Sequence, residues 1–102
     1  MNNKILSLLG LATRSRNLVS GEFMTEKAVK GRKAFLVIVS EEASDNTKKM
    51  FADMCRFYEV PLYFYGSKEQ LGHCMGKEFR ASVAVTDEGF AKNIINRLEC
   101  EQ

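Results

Sequence analysis

The spacing of apolar residues along this chain switches repeatedly between a helical and an extended period. Ile5, Leu8, Leu9 and Ala12 stand at i, i+3, i+4 and i+7, which predicts an amphipathic helix from Asn2 to Arg14. Gly10 lies inside it and weakens it only modestly. Residues 13–17 are polar and basic, a loop or a fraying helix end, and residues 17–20 read as a short strand. Gly21 then opens a second helix, GEFMTEKAVKGRK, in which Thr25, Ala28 and Val29 suit packing on a sheet while Phe23, Met24 and Lys27 point elsewhere. The run AFLVIV, residues 34–39, is continuous and rich in β-branched side chains, as expected of a central strand covered on both faces.

The second half repeats the alternation. Ser44 or Asp45 caps a helix whose Met50, Phe51, Met54, Cys55 and Tyr58 recur with helical period and form core. Pro61 precedes a strand over residues 62–65, where a missing N–H costs the ladder least, and Gly66 ends it. Ser67 and Gln70 have the spacing of a capping box, so a short helix follows from Lys68 to about Cys74. Gly72 and Gly76 make the next loop permissive, and residues 76–81 lead into a strand over 82–85. Thr86 or Asp87 caps a last helix that returns Phe90, Ala91, Ile94, Ile95 and Leu98 to the core. Strands alternating with helices predict an α/β domain, a three-layer α/β/α sandwich with a small mixed sheet of about four strands.

At 102 residues the chain, taken as residues 1–102, is one domain, long enough to bury a core without disulfides or a structural metal. With 45% hydrophobic and 27% charged residues the composition is that of a soluble globular protein. No apolar run approaches the roughly 18 residues a membrane helix needs, so no membrane partner is expected. Arg14 and Arg16 stand where a signal peptide would place its small-residue cleavage site. Cys55, Cys74 and Cys100 are odd in number and not spaced for pairing or zinc, which points to a reducing, cytoplasmic setting. His73 beside Cys74 is the only conceivable ligand pair, and adjacent residues rarely both reach one metal, so no metal is expected. There is no Walker loop, GxGxxG or GxSxG, and the single histidine has no acid partner. Neither catalysis nor a cofactor is expected.

Splitting the charge changes the picture more than its sum of +2. Residues 1–33 hold Lys4, Arg14, Arg16, Lys27, Lys30, Arg32 and Lys33 against only Glu22 and Glu26, while the remainder is mildly acidic. Such asymmetry suits a polyanion-binding face. Gly21 leaves a helix end bare, where free N–H groups and the helix dipole attract anions, and Arg14 and Arg16 lie close to it in sequence. Basic residues on a surface helix are also commonly no more than a solvated face. Phe23 and Met24 either pack under the first helix or mark a contact surface.

The Gly-opened helix with Lys27 at its seventh position, the motif VPLYFYGSKEQLG and the stretch LGHCMGKEFRASVAVTD together resemble the ribosomal protein L7Ae/L30e-like kink-turn RNA-binding family. Leu71, Gly72 and Gly76 match its L-G-x-x-x-G, with Cys74 where the family favours a small residue. LLGLATRSRNLVSGE and GKEFRASVAVTDEGFA resemble the bacterial YlxQ-like branch most. The resemblance covers most of the chain. It implies a non-catalytic, monomeric binder of kink-turn-like structured RNA, associated with ribosomal RNA or translation. The implied site comprises Gly21, Glu22, Phe23, Met24, Lys27, Lys30, Arg32 and Lys33 on the helix, with Lys77, Glu78, Phe79, Arg80 and Ala81 from a loop covering an extruded nucleotide. Lys27 matches the residue that reaches guanine O6, and Lys30 is expected on a phosphate. Phe23 and Met24 depart from the polar residues of better-known members and cannot hydrogen-bond a base edge; Phe23 could stack on an unpaired base instead. The alternative is a protein-interaction module centred on Phe23 and Met24.

Overall fold

The computed structural model describes residues 3–101, so the expected helical start at Asn2 lies outside the described residues. The elements are α1 (Lys4–Arg14), β1 (Leu18–Ser20), α2 (Glu22–Lys30), β2 (Leu36–Val39), α3 (Asp45–Tyr58), β3 (Leu62–Phe64), α4 (Lys68–His73), β4 (Ser82–Val85) and α5 (Glu88–Cys100). The strands form one mixed sheet in the order β1-β4-β2-β3, with β4 antiparallel to both of its neighbours and β2 parallel to β3.

Strand alternation sorts the side chains into two cores. Leu36, Ile38, Val83 and Val85 face Ile5 and Leu9 of α1, Leu71 of α4 and Ile94 and Leu98 of α5. On the other face Val37, Val39 and Ala84 meet Ala28 and Val29 of α2 and Phe51 and Cys55 of α3. Helices thus cover both sides, and β2 and β4 are buried along their whole length. The strand expected from AFLVIV is shorter than its apolar run: Ala34 is buried but precedes it, and Phe35 is 42% exposed.

Local chemistry fixes the helix starts. Asn3, Ser44, Ser67 and Asp87 each accept an N–H of the first turn that follows, and Ser67 with Gln70 closes a reciprocal capping box. Gly10 does more than weaken α1. A Cβ there would stand 3.1 Å from the Cys74 carbonyl oxygen, so the glycine lets α1 lie close against the chain leaving α4.

Because β1, β2 and β3 run one way and β4 the other, Ser20, Val39, Phe64 and Ser82 all lie at one end of the sheet. Four connections therefore gather there: β1–α2, β2–α3, β3–α4 and α4–β4. Open α/β sheets present ligands outside the carboxyl ends of their strands, where helix amino ends also point.

Candidate nucleic-acid interface

Among the described residues α2 is the one helix of the five that begins without a side-chain cap. Gly21 precedes it at φ +90 and ψ 156, a backbone shape that L side chains rarely adopt. The first-turn amides are left facing outward, with the exposed Glu22 beside them. Glu22 favours the helix through its dipole but opposes an incoming anion.

The buried face of α2 is Thr25, Ala28 and Val29, as the spacing predicts. Phe23 is 74% exposed and Met24 42%, which excludes their packing under α1. Each lines a separate groove. One, of about 330 Å³, is bounded by Val19, Met24, Lys27, Lys33 and Thr86. The other, of about 430 Å³, is bounded by Phe23, Glu26, Lys27, Lys30 and Gly31. Lys27 belongs to both and so stands on the crest between them.

The other cations differ from what a count of charges suggests. Lys30 Nζ lies 2.7 Å from Glu26 Oε2, a hydrogen-bonded ion pair that raises its pKa, so in the free protein Lys30 already has an acidic partner. Glu26 precedes it by one helical turn, a spacing that the sequence displays. Arg32, at φ +58, lies 5.3 Å over the Tyr58 ring and is turned toward α3 rather than along the crest. Arg14 and Arg16 are separated from Gly21 by β1; Arg14 lines a groove with Ser7, His73 and Cys74 on the α1 side. Sequence proximity to Gly21 did not carry these two to the helix end.

The 76–81 loop does reach that end. Gly76 turns it at φ +76, with open space where a Cβ would stand. Gly72 is not part of a permissive loop: it lies within α4, and a Cβ there would come 2.6 Å from the Glu78 carbonyl oxygen. It is a site of close approach, where the returning loop presses on the helix. Lys77 N–H donates to the Gly72 carbonyl at 2.9 Å, and Arg80 N–H to the Lys68 carbonyl at 3.0 Å. Arg80 Nε donates to Ser20 Oγ at 3.0 Å, tying the loop to the residue before Gly21. Gly21 N–H in turn donates to the Ser82 carbonyl at 2.9 Å. Lys77, Glu78 and Phe79 remain exposed, whereas Arg80 and Ala81 are half-buried and hold the loop. Ser20 and Lys68 escaped sequence reasoning because no local pattern marks a partner 60 residues away for the one or 26 for the other.

No metal-sized group of three His, Cys, Asp or Glu side chains occurs among the described residues. Burial pushes the thiols of Cys55 and Cys74 up to about 11, which keeps both protonated and inert near neutrality. Among the described residues no helix is long and apolar enough to cross a membrane.

Residues 3–95 match the family described as Ribosomal protein L7Ae/L30e/S12e/Gadd45. The chain is 47% identical over 92 residues to an RNA-binding protein YlxQ of Bacillus subtilis, covering 90% of this chain and 92% of that protein. A second RNA-binding protein YlxQ, from Enterococcus faecium, is 36% identical over 94% of this chain and 92% of its own. Among solved structures, a Bacillus halodurans protein of unknown function superposes with a TM-score of 0.93 at 39% identity, covering 96% of this chain and 99% of that one. A 15.5kD RNA binding protein of Giardia lamblia shares the fold, with a TM-score of 0.80 at 22% identity over 98% of this chain and 92% of its own. The chain thus belongs to the family described as Ribosomal protein L7Ae/L30e/S12e/Gadd45, in its YlxQ-like branch.

Proposed function

We propose that this protein is a non-catalytic, monomeric RNA-binding protein of the cytoplasm that recognises a kink-turn-like bend in ribosomal or other translation-associated RNA. One observation carries the reading: the uncapped amino end of α2 and the 76–81 loop meet at one end of the sheet, joined through Arg80 and Ser20. A kinked RNA opens base edges that a regular A-form duplex hides, and a bare helix end beside a glycine-turned loop suits such a shape. Family membership and the RNA-binding names of the YlxQ relatives support it.

Within this reading Lys27, on the crest between two grooves, donates to a base edge. Phe23 offers its exposed ring to an unpaired base, and Met24 fills the groove on the β1 side. Lys33 and Lys77 supply charge at either end, and Glu78 and Phe79 flank the loop tip. The test compares Lys27→Ala with the parent on an RNA containing sheared G·A pairs and on a control with Watson–Crick pairs in their place. A loss of roughly 1–3 kcal/mol confined to the first RNA is expected. Equal losses on both would mean that α2 contributes only charge.

The exposure of Phe23 and Met24 also favours a second reading, an apolar protein contact. Salt separates the two. Binding through cations weakens steeply as salt rises, and an apolar contact does not.

A further inference from the structure

We propose that Glu42, on the β2–α3 connection, is a positioning residue that holds the 76–81 loop in place for RNA from two connections away. The inference rests on the RNA-binding reading above. Glu42 Oε1 accepts the Lys68 N–H at 3.0 Å. Lys68 is the first residue of α4, so this amide has no acceptor within its own helix. The same residue's carbonyl accepts the Arg80 N–H at 3.0 Å. Arg80 Nε then donates to Ser20 Oγ at 3.0 Å, beside Gly21. One run of bonds thus ties the β2–α3 and α4–β4 connections to residues bordering the other two, and Glu42 is its outer anchor.

The anchor is itself fixed. Glu42 N–H donates to the buried Ser40 Oγ at 3.0 Å, and that hydroxyl donates to the Gly66 carbonyl at 3.0 Å. Glu41 N–H donates to the same carbonyl at 2.9 Å, while Gly66 N–H returns a bond to Glu41 Oε2 at 3.2 Å. Ser40 and Glu41 therefore grip the turn after β3, and Glu42 the first residue of the helix that follows it. A network so connected behaves as a unit, and loosening one member loosens the next.

Charge and position make opposite forecasts for Glu42. A carboxylate near an RNA-binding surface repels phosphate, so charge alone says that removing it tightens binding. If the carboxylate positions the loop, removing it weakens binding, because the loop must then be ordered by the ligand. Glu42→Ala removes both charge and acceptor; Glu42→Gln removes the charge and keeps an acceptor oxygen.

The experiment uses the full chain and a kink-turn RNA containing sheared G·A pairs. Affinity is read by fluorescence anisotropy, amide hydrogen exchange in the RNA-free protein by NMR, and stability by urea denaturation. Glu42→Ala is expected to weaken binding by up to about tenfold, the worth of one charged hydrogen bond, with faster exchange at Lys68 and Arg80 and a urea midpoint lowered by no more than that one bond accounts for, the protein remaining folded. Glu42→Gln is expected to restore exchange and to bind as tightly as the parent or more so. Unchanged exchange in Glu42→Ala would overturn the inference whatever the affinity, since a drop in affinity would then mean direct contact with RNA. Equal or tighter binding by Glu42→Ala would also overturn it. Failure of the parent protein to bind any RNA would instead sink the RNA-binding reading, and the positioning of the loop for RNA with it.

Discussion

α2 and the 76–81 loop meet at the same end of the sheet but are held there by different forces. α2 is seated by packing: Thr25, Ala28 and Val29 are buried against a sheet in which Ala84 leaves room for a close helix. The loop is seated by hydrogen bonds, from Lys77 to Gly72 and from Arg80 to Lys68 and Ser20, and by the bare surface of Gly72. Packing is non-directional and shared among many atoms, so it tolerates modest change. A directional network depends on single groups, and a change at one of them moves its neighbours.

The sharpest way to break this contrast is Gly72→Ala. The added methyl would stand 2.6 Å from the Glu78 carbonyl oxygen and 2.7 Å from the Phe79 nitrogen, both backbone atoms. A destabilisation on the order of 3 kcal/mol is expected in urea denaturation. A variant as stable as the parent would show that the loop does not press on α4.

Thr25→Val probes the packed partner and should move stability the other way. The Thr25 hydroxyl is buried with no hydrogen-bond partner among the described residues, as is that of Ser82 on the strand beneath α2. Exchanging an unpaired hydroxyl for a methyl should stabilise by about 1 kcal/mol. Loss of stability in the same denaturation assay would reveal a partner for that hydroxyl.

The smallest expected effect concerns charge on the exposed side of α2. Glu26→Gln releases Lys30 from its ion pair and removes an acid from the Phe23 groove. Affinity for the kink-turn RNA should rise by less than about fivefold at low salt, in keeping with an exposed pair. The gain should vanish at high salt. A gain that persisted there would have to come from a rearranged groove instead of freed charge.

What could be read from the sequence follows the same division. The buried face of α2 was legible because packing leaves a period, and the caps were legible, Ser67 by its residue and Ser44 and Asp87 to within one position, because a cap acts within one turn. The start and end of β4 were legible for similar local reasons. The Arg80–Ser20 bond was not, since nothing near either residue signals the other. Gly72 looked like loop flexibility because its reason is the backbone of residues 78 and 79 folding back on it. The pairing of Lys30 went unread for a different cause: its partner stands in plain view at Glu26, but tallying positive charge passes over pairing. The exposure of Phe57 and Phe64, at 75% and 44%, was also invisible, since an aromatic residue near apolar neighbours looks like core.

Gly21 carries one more consequence. Its φ of +90 comes with nothing within 4 Å of where a Cβ would project, so what the position demands is handedness rather than small size. A mirror-image residue would adopt that backbone without strain and find space for its side chain. Glycine is the one achiral member of the coded alphabet, and it therefore stands in for a D-residue that translation cannot supply. The uncapped start of α2 then follows from stereochemistry: the residue that can turn the chain this way has no side chain with which to close the helix behind it.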